Sequence, residues 1–141
     1  MIYVLFHRRL MKRYWSRLLA LVLVLAIGLM GCSSPDSLTG NYSQDTLAVV
    51  NIMKNALDLP DDAPNKTAIQ AEARQKINDF SARYQRVSSV SGLNSFTTMR
   101  TALNSLAGHY SSYPNRPVPQ KLKKRLQLEF QQVETALKRG G

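Results

Sequence analysis

NKTAIQAEARQKINDFSARYQRV, residues 65–87, decides the fold. Its apolar positions Ile69, Ala73, Ile77, Phe80, Tyr84 and Val87 recur at steps of four, four, three, four and three, which is one face of an α-helix. Asn65 or Thr67 can cap its start. The other faces carry Gln70, Glu72, Arg74, Gln75, Lys76, Asp79, Arg83 and Arg86, a solvated surface. Glu72 with Lys76 and Asp79 with Arg83 place an acid four residues before a base, a spacing that adds a few tenths of a kcal/mol per pair. Such a helix has one apolar stripe and must bury it against other elements.

Those elements are legible on both sides. Toward the C-terminus, Ser88-Ser89-Val90-Ser91-Gly92 breaks the period, and a third helix runs from about Leu93 to Ser112. Its stripe is Phe96, Met99, Leu103, Leu106, Tyr110 and Tyr113. Gly108 inside it costs about 1 kcal/mol relative to alanine, which suggests a close helix approach or a weak point. Tyr113-Pro114-Asn115-Arg116-Pro117-Val118-Pro119 is a rigid connector, because each proline fixes its own φ and extends the residue before it. The last helix starts near Pro119 and runs to about Lys138, with Leu122, Leu126, Phe130, Val133 and Leu137 inward and Gly140-Gly141 ending it.

Toward the N-terminus, Leu59-Pro60-Asp61-Asp62-Ala63-Pro64 stops a first helix of about Ser43 to Leu57. Ser43 or Asn41 caps it and Asp45 suits its first turn. Leu47, Val50, Lys54 and Leu57 form its line, widened by Val49, Ile52, Met53 and Ala56; Lys54 packs its stem and keeps its ammonium in water. No useful length alternates with period two. The expected fold is all-α, an antiparallel up-down-up-down four-helix bundle over residues 41–141.

The region before the bundle reads differently. A basic start (Arg8, Arg9, Lys12, Arg13, Arg17) and an apolar run lead to Leu29-Met30-Gly31-Cys32, the pattern of a lipoprotein signal peptide cut before Cys32. Leu18 to Met30 is only thirteen residues, short of the roughly 20 needed to span a bilayer. A free thiol does not explain why the single cysteine follows the apolar run directly. The expected organisation is therefore a signal peptide at 1–31, lipidation at Cys32 and a polar, turn-rich tether over 32–40. Met11-Lys12-Arg13 makes a more ordinary start than Met1.

Cleavage changes the charge. The signal holds five of the 19 basic residues and none of the nine acids, so the formal +10 falls to about +5 over 110 residues. That length supports one core, held without disulfides.

Little in the chain suggests catalysis. His109 has no second ligand nearby for a metal, and no Cys-x-x-Cys-His is present for covalent haem. Asp58, Asp61 and Asp62 lack the alternating ligands and closing glutamate of an EF-hand. No serine sits in a G-x-S-x-G elbow. Lys121-Leu122-Lys123-Lys124-Arg125 is the densest charge run of the mature chain. An export signal excludes nucleic acid as its target, leaving a solvated basic face or a surface for an acidic partner or anionic head groups. No cofactor is expected.

Longer stretches carry a family resemblance. Ser95-Phe96-Thr97-Thr98-Met99-Arg100-Thr101-Ala102-Leu103-Asn104, the connector Tyr113 to Pro119, Lys123-Lys124-Arg125-Leu126, Gly40-Asn41-Tyr42 with Asp45-Thr46-Leu47, and Gln70-Ala71-Glu72-Ala73-Arg74 closely resemble the cyanobacterial photosystem II assembly and repair lipoproteins, the Psb-twenty-seven family. The resemblance covers nearly all of residues 32–141. It implies a lumenal four-helix bundle, lipid-anchored to the thylakoid through Cys32, with no catalytic residues. It further implies binding to photosystem II core subunits in assembly and repair intermediates, chiefly through the lumenal loop of the smaller inner antenna protein, before the manganese-calcium cluster is complete. Arg100, Asn115 and Arg116 are the expected partner-binding residues, because they lie on the third helix and its rigid connector. The free protein is expected to be a monomer. The competing reading is a generic envelope lipoprotein with a structural or metal-handling role.

Overall fold

The computed structural model describes residues 38–114 and 116–141. Cys32, the signal peptide and Asn115 lie outside the described residues. The first helix, α1, spans Tyr42–Asp58, and the Asn41 side chain caps it by accepting the Gln44 N–H at 3.0 Å. It ends at Leu59, which is extended before Pro60. α2 spans Lys66–Tyr84, a one-turn helix α3 spans Ser88–Ser91, α4 spans Asn94–Ser112 and α5 spans Gln120–Lys138.

α5 closes with a Schellman motif. Gly140, at φ +103°, donates to the Leu137 carbonyl, and Gly141 donates to that of Ala136. The motif brings the last residue beside Leu93, at the start of α4.

α1 packs on α2 and α5, α2 also packs on α4, and α4 packs on α5, so the four long helices ring a single core. The start of α1 meets the end of α2 through Asp45 and Tyr84. Phe80 near the end of α2 stacks on Phe96 near the start of α4, with centroids 6.3 Å apart. The end of α1 pairs with the start of α5 through Asp58 and Lys123. Neighbouring helices therefore run antiparallel, in up-down-up-down order. Among the described residues there is no strand, and no helix is long and apolar enough to cross a membrane.

The expected stripes of α2, α4 and α5 are buried at Ala73, Ile77, Phe80, Tyr84, Phe96, Met99, Leu103, Leu106, Tyr110, Leu126, Phe130 and Val133. Four details differ from the sequence reading. Val87 lies beyond α2 and starts the extra turn α3, where its carbonyl accepts from Val90 and Ser91. Tyr113 is half exposed because the chain leaves the helix there. Gly108 marks no close approach, since a Cβ built on it meets nothing within 4 Å.

The fourth difference lies in α1, whose buried face is Asp45, Thr46, Val49, Val50, Met53, Ala56 and Leu57, while Leu47 is 39 % exposed. The helix is rolled so that an acid faces inward. The same acid holds residues 38–40, which the sequence assigned to the tether: Leu38 is buried in the core, and Thr39 and Gly40 bond to Asp45. The packed domain therefore includes residues 38–40.

Candidate docking surface

Four aromatic rings gather at the end of the bundle where the described chain begins. Tyr42, Phe80, Tyr84 and Phe96 meet with centroids between 5.1 and 6.5 Å apart. Asp45 fixes this cluster from beneath. Its carboxylate accepts the Thr39 N–H at 2.7 Å, the Thr39 hydroxyl at 2.8 Å, the Gly40 N–H at 3.0 Å and the Tyr84 hydroxyl. Burial alone pushes the Asp45 pKa up, but the donors around the carboxylate outweigh it and hold the group below its ordinary value. Tyr84 is pushed up to about 12, first by burial and then by its bond to the Asp45 charge. Tyr42 donates to or accepts from Ser95 Oγ at 2.8 Å, tying α1 to α4.

Gly40 is required in this arrangement. It adopts φ +88°, and a Cβ there would lie 2.8 Å from Arg83 Nη2.

Above the rings, the seam between α2 and α4 leaves a groove of about 110 Å³ lined by Phe80, Ser81, Gln85, Phe96, Arg100 and Asn104. Arg100 is exposed, with its guanidinium 5.9 Å from the Phe96 ring centroid, a cation–π contact one helical turn away. The rest of the outward face of α4 is small and uncharged: Thr97, Thr101, Asn104, Gly108 and Ser111.

At the other end of α4 the connector is held by the same helix. Tyr113 N–H donates to the His109 carbonyl at 2.8 Å, and the His109 ring, largely buried, faces the Arg116 carbonyl at 3.4 Å. The Arg116 guanidinium lies 5.7 Å from the Tyr113 ring centroid. His109 is thus a packing group that orders the connector. About 18 Å of helix separates Arg100 from the end of α4, so Arg100 and Arg116 do not form one point.

Four of the other charged candidates, Lys123, Arg125, Asp58 and Asp61, are tied down locally. Lys123 reaches Asp58 at 3.5 Å, and Arg125 binds Glu129 at 3.2 Å and Ser105 Oγ at 2.6 Å. Asp58 also accepts from Gln127, and Asp61 pairs with Lys66 at 3.4 Å. Among the described residues no group of three or more His, Cys, Asp or Glu side chains is placed to hold a metal ion.

The groove and the Asp45 network were not read from the sequence. The groove exists only once α2 and α4 are paired, and an acid in a first turn reads as a solvated dipole partner.

The sequence profile of the family described as Photosystem II Pbs27 matches residues 16–137. The chain belongs to that family. The photosystem II lipoprotein Psb27 of Synechocystis sp. is 60 % identical over 130 residues, which cover 92 % of this chain and 97 % of that protein. The photosystem II assembly factor lipoprotein Psb27 of Thermosynechococcus vestitus is 57 % identical over the same shares of the two chains. The solution structure of Psb27 from cyanobacterial photosystem II superposes with a TM-score of 0.73 at 59 % identity, covering 78 % of this chain and 96 % of that one. Membership of the Psb27 family accords with the all-helical bundle described above.

Proposed function

We propose that this protein is a non-catalytic lipoprotein of the thylakoid lumen, anchored through lipid on Cys32. It binds assembly and repair intermediates of photosystem II through the lumenal loop of the smaller inner antenna subunit, and assists maturation of the oxygen-evolving manganese-calcium cluster. The outer face of α4, with Arg100, Asn115 and Arg116, forms the docking surface. The observation that carries this reading is 60 % identity, nearly end to end, to a photosystem II lipoprotein. The physics is consistent: a prearranged bundle acts by covering a surface, and a lipid anchor confines its search to the membrane plane, raising the effective concentration of its partner.

Affinity purification of the tagged protein in mild detergent, from cells building new photosystem II, tests the proposal. Photosystem II core subunits are expected with the bait. Their absence overturns the assembly role.

A further inference from the structure

The groove between α2 and α4 joins three properties seldom found together on a solvated helix face. Its floor is aromatic, from Phe80 and Phe96, and its wall presents a guanidinium, two amides and a hydroxyl from Arg100, Gln85, Asn104 and Ser81, with no acid. Among the described residues, neither Arg100 nor Asn104 has a side-chain hydrogen-bond partner, whereas Lys123 and Arg125 each face a carboxylate. Arg100 is also restrained. Its guanidinium lies over Phe96, which reduces the freedom a long side chain loses on binding, and Phe96 itself is locked in the aromatic cluster.

A planar donor fork beside neutral amide donors over an apolar floor is chemistry for a carboxylate. A volume of about 110 Å³ admits one side chain and excludes a helix. The uncharged residues flanking it on α4, Thr97, Thr101 and Gly108, desolvate cheaply and lose little conformational freedom when covered.

We infer that the groove receives an aspartate or glutamate side chain carried on a loop of the partner protein, its carboxylate on Arg100 and Asn104 and its methylene stem on Phe96. The inference rests on the proposed docking to photosystem II intermediates and specifies how α4 makes it. The groove, rather than the denser Lys121 to Arg125 run, is then the charge-reading element of the surface.

The test measures binding of the full-length lipoprotein to purified photosystem II assembly intermediates at two salt concentrations. Wild type is compared with Arg100→Gln, Arg100→Lys and Lys124→Gln. Arg100→Gln is expected to weaken binding about tenfold or more and to flatten its salt dependence. Arg100→Lys should recover only part of the loss, because the fork is gone, and Lys124→Gln should stay within about twofold of wild type. Unchanged circular dichroism and melting temperature in Arg100→Gln would tie its loss to binding, since Arg100 is exposed. Wild-type affinity in Arg100→Gln overturns the groove while leaving the docking role intact, and equal losses in Arg100→Gln and Lys124→Gln overturn it in favour of diffuse charge. Failure of the wild type to bind overturns the docking role itself and the groove with it.

Discussion

Asp45 shows how one residue joins the entry of the chain to the packing beneath α4. A buried carboxylate is costly unless donors surround it, and here two backbone N–H groups and two hydroxyls do so. Asp45→Asn should destabilise the bundle by about 1–3 kcal/mol in urea unfolding, because the amide cannot accept all four bonds. The pH dependence follows from the same group. The Asp45 pKa is lower folded than unfolded, so its contribution is complete above the ordinary carboxylate range and is lost as pH falls through the folded value. The acid limb of the stability profile, below about pH 4, should therefore flatten in Asp45→Asn. Tyr84 has the opposite sign. Raised to about 12, it keeps its proton in the folded protein, so its contribution holds below about pH 10 and fades between 10 and 12. Tyr84→Phe should remove that alkaline loss. Gly40→Ala should cost about 1–2 kcal/mol, because φ +88° disfavours a side chain and the new Cβ meets Arg83.

At the scale of the helix, the period of the stripes was sufficient for α2 and α5, whose buried positions are all apolar, and for α4, whose buried Ser95 and His109 lie beside an unbroken apolar stripe from Phe96 to Tyr110. In α1 it found Val49, Val50, Met53, Ala56 and Leu57 but missed the two buried polar positions, Asp45 and Thr46, and placed the exposed Leu47 inward. Asp45 is satisfied by Thr39 and Gly40 just upstream and by the distant Tyr84, and Thr46 bonds the Tyr42 carbonyl at 2.6 Å. No local pattern announces a partner such as Tyr84, 39 positions away. The four-residue α3 is too short to display a period, and its serines read as a break. Arg100 was visible as an exposed charge, but the groove beside it depends on Ser81 and Gln85 arriving from α2. Gly108 gives a clean test at this scale. With open space at its Cβ position, Gly108→Ala should stabilise the protein by about 0.5–1 kcal/mol, read from the urea midpoint at unchanged slope. A loss of stability would mean that α4 meets something the described residues do not reveal.

For the whole molecule, the proposed function divides the work between a lipid anchor on Cys32 and the bundle. Because residues 38–141 share one packed core, the proposed lipid on Cys32 should add little to the stability of the bundle. Cys32→Ala should leave the melting temperature nearly unchanged while lowering recovery of photosystem II subunits from membranes, since the unanchored bundle searches a volume rather than a plane. The core, by contrast, is indispensable: Phe130 is fully buried, and Phe130→Ala should cost about 3–5 kcal/mol, a large share of the stability of so small a domain. In the proposed function, the α4 face meets the lumenal loop of the inner antenna subunit. The most direct measurement places a photo-activated cross-linking residue at Thr101, on that face, and in a second strain at Gln132, on the exposed side of α5. Cells are illuminated while they build photosystem II, and the captured proteins are identified by mass spectrometry. The inner antenna subunit captured from position 101 and not from 132 is the predicted result. Capture from 132 alone, or of no photosystem II subunit from either position, would contradict it.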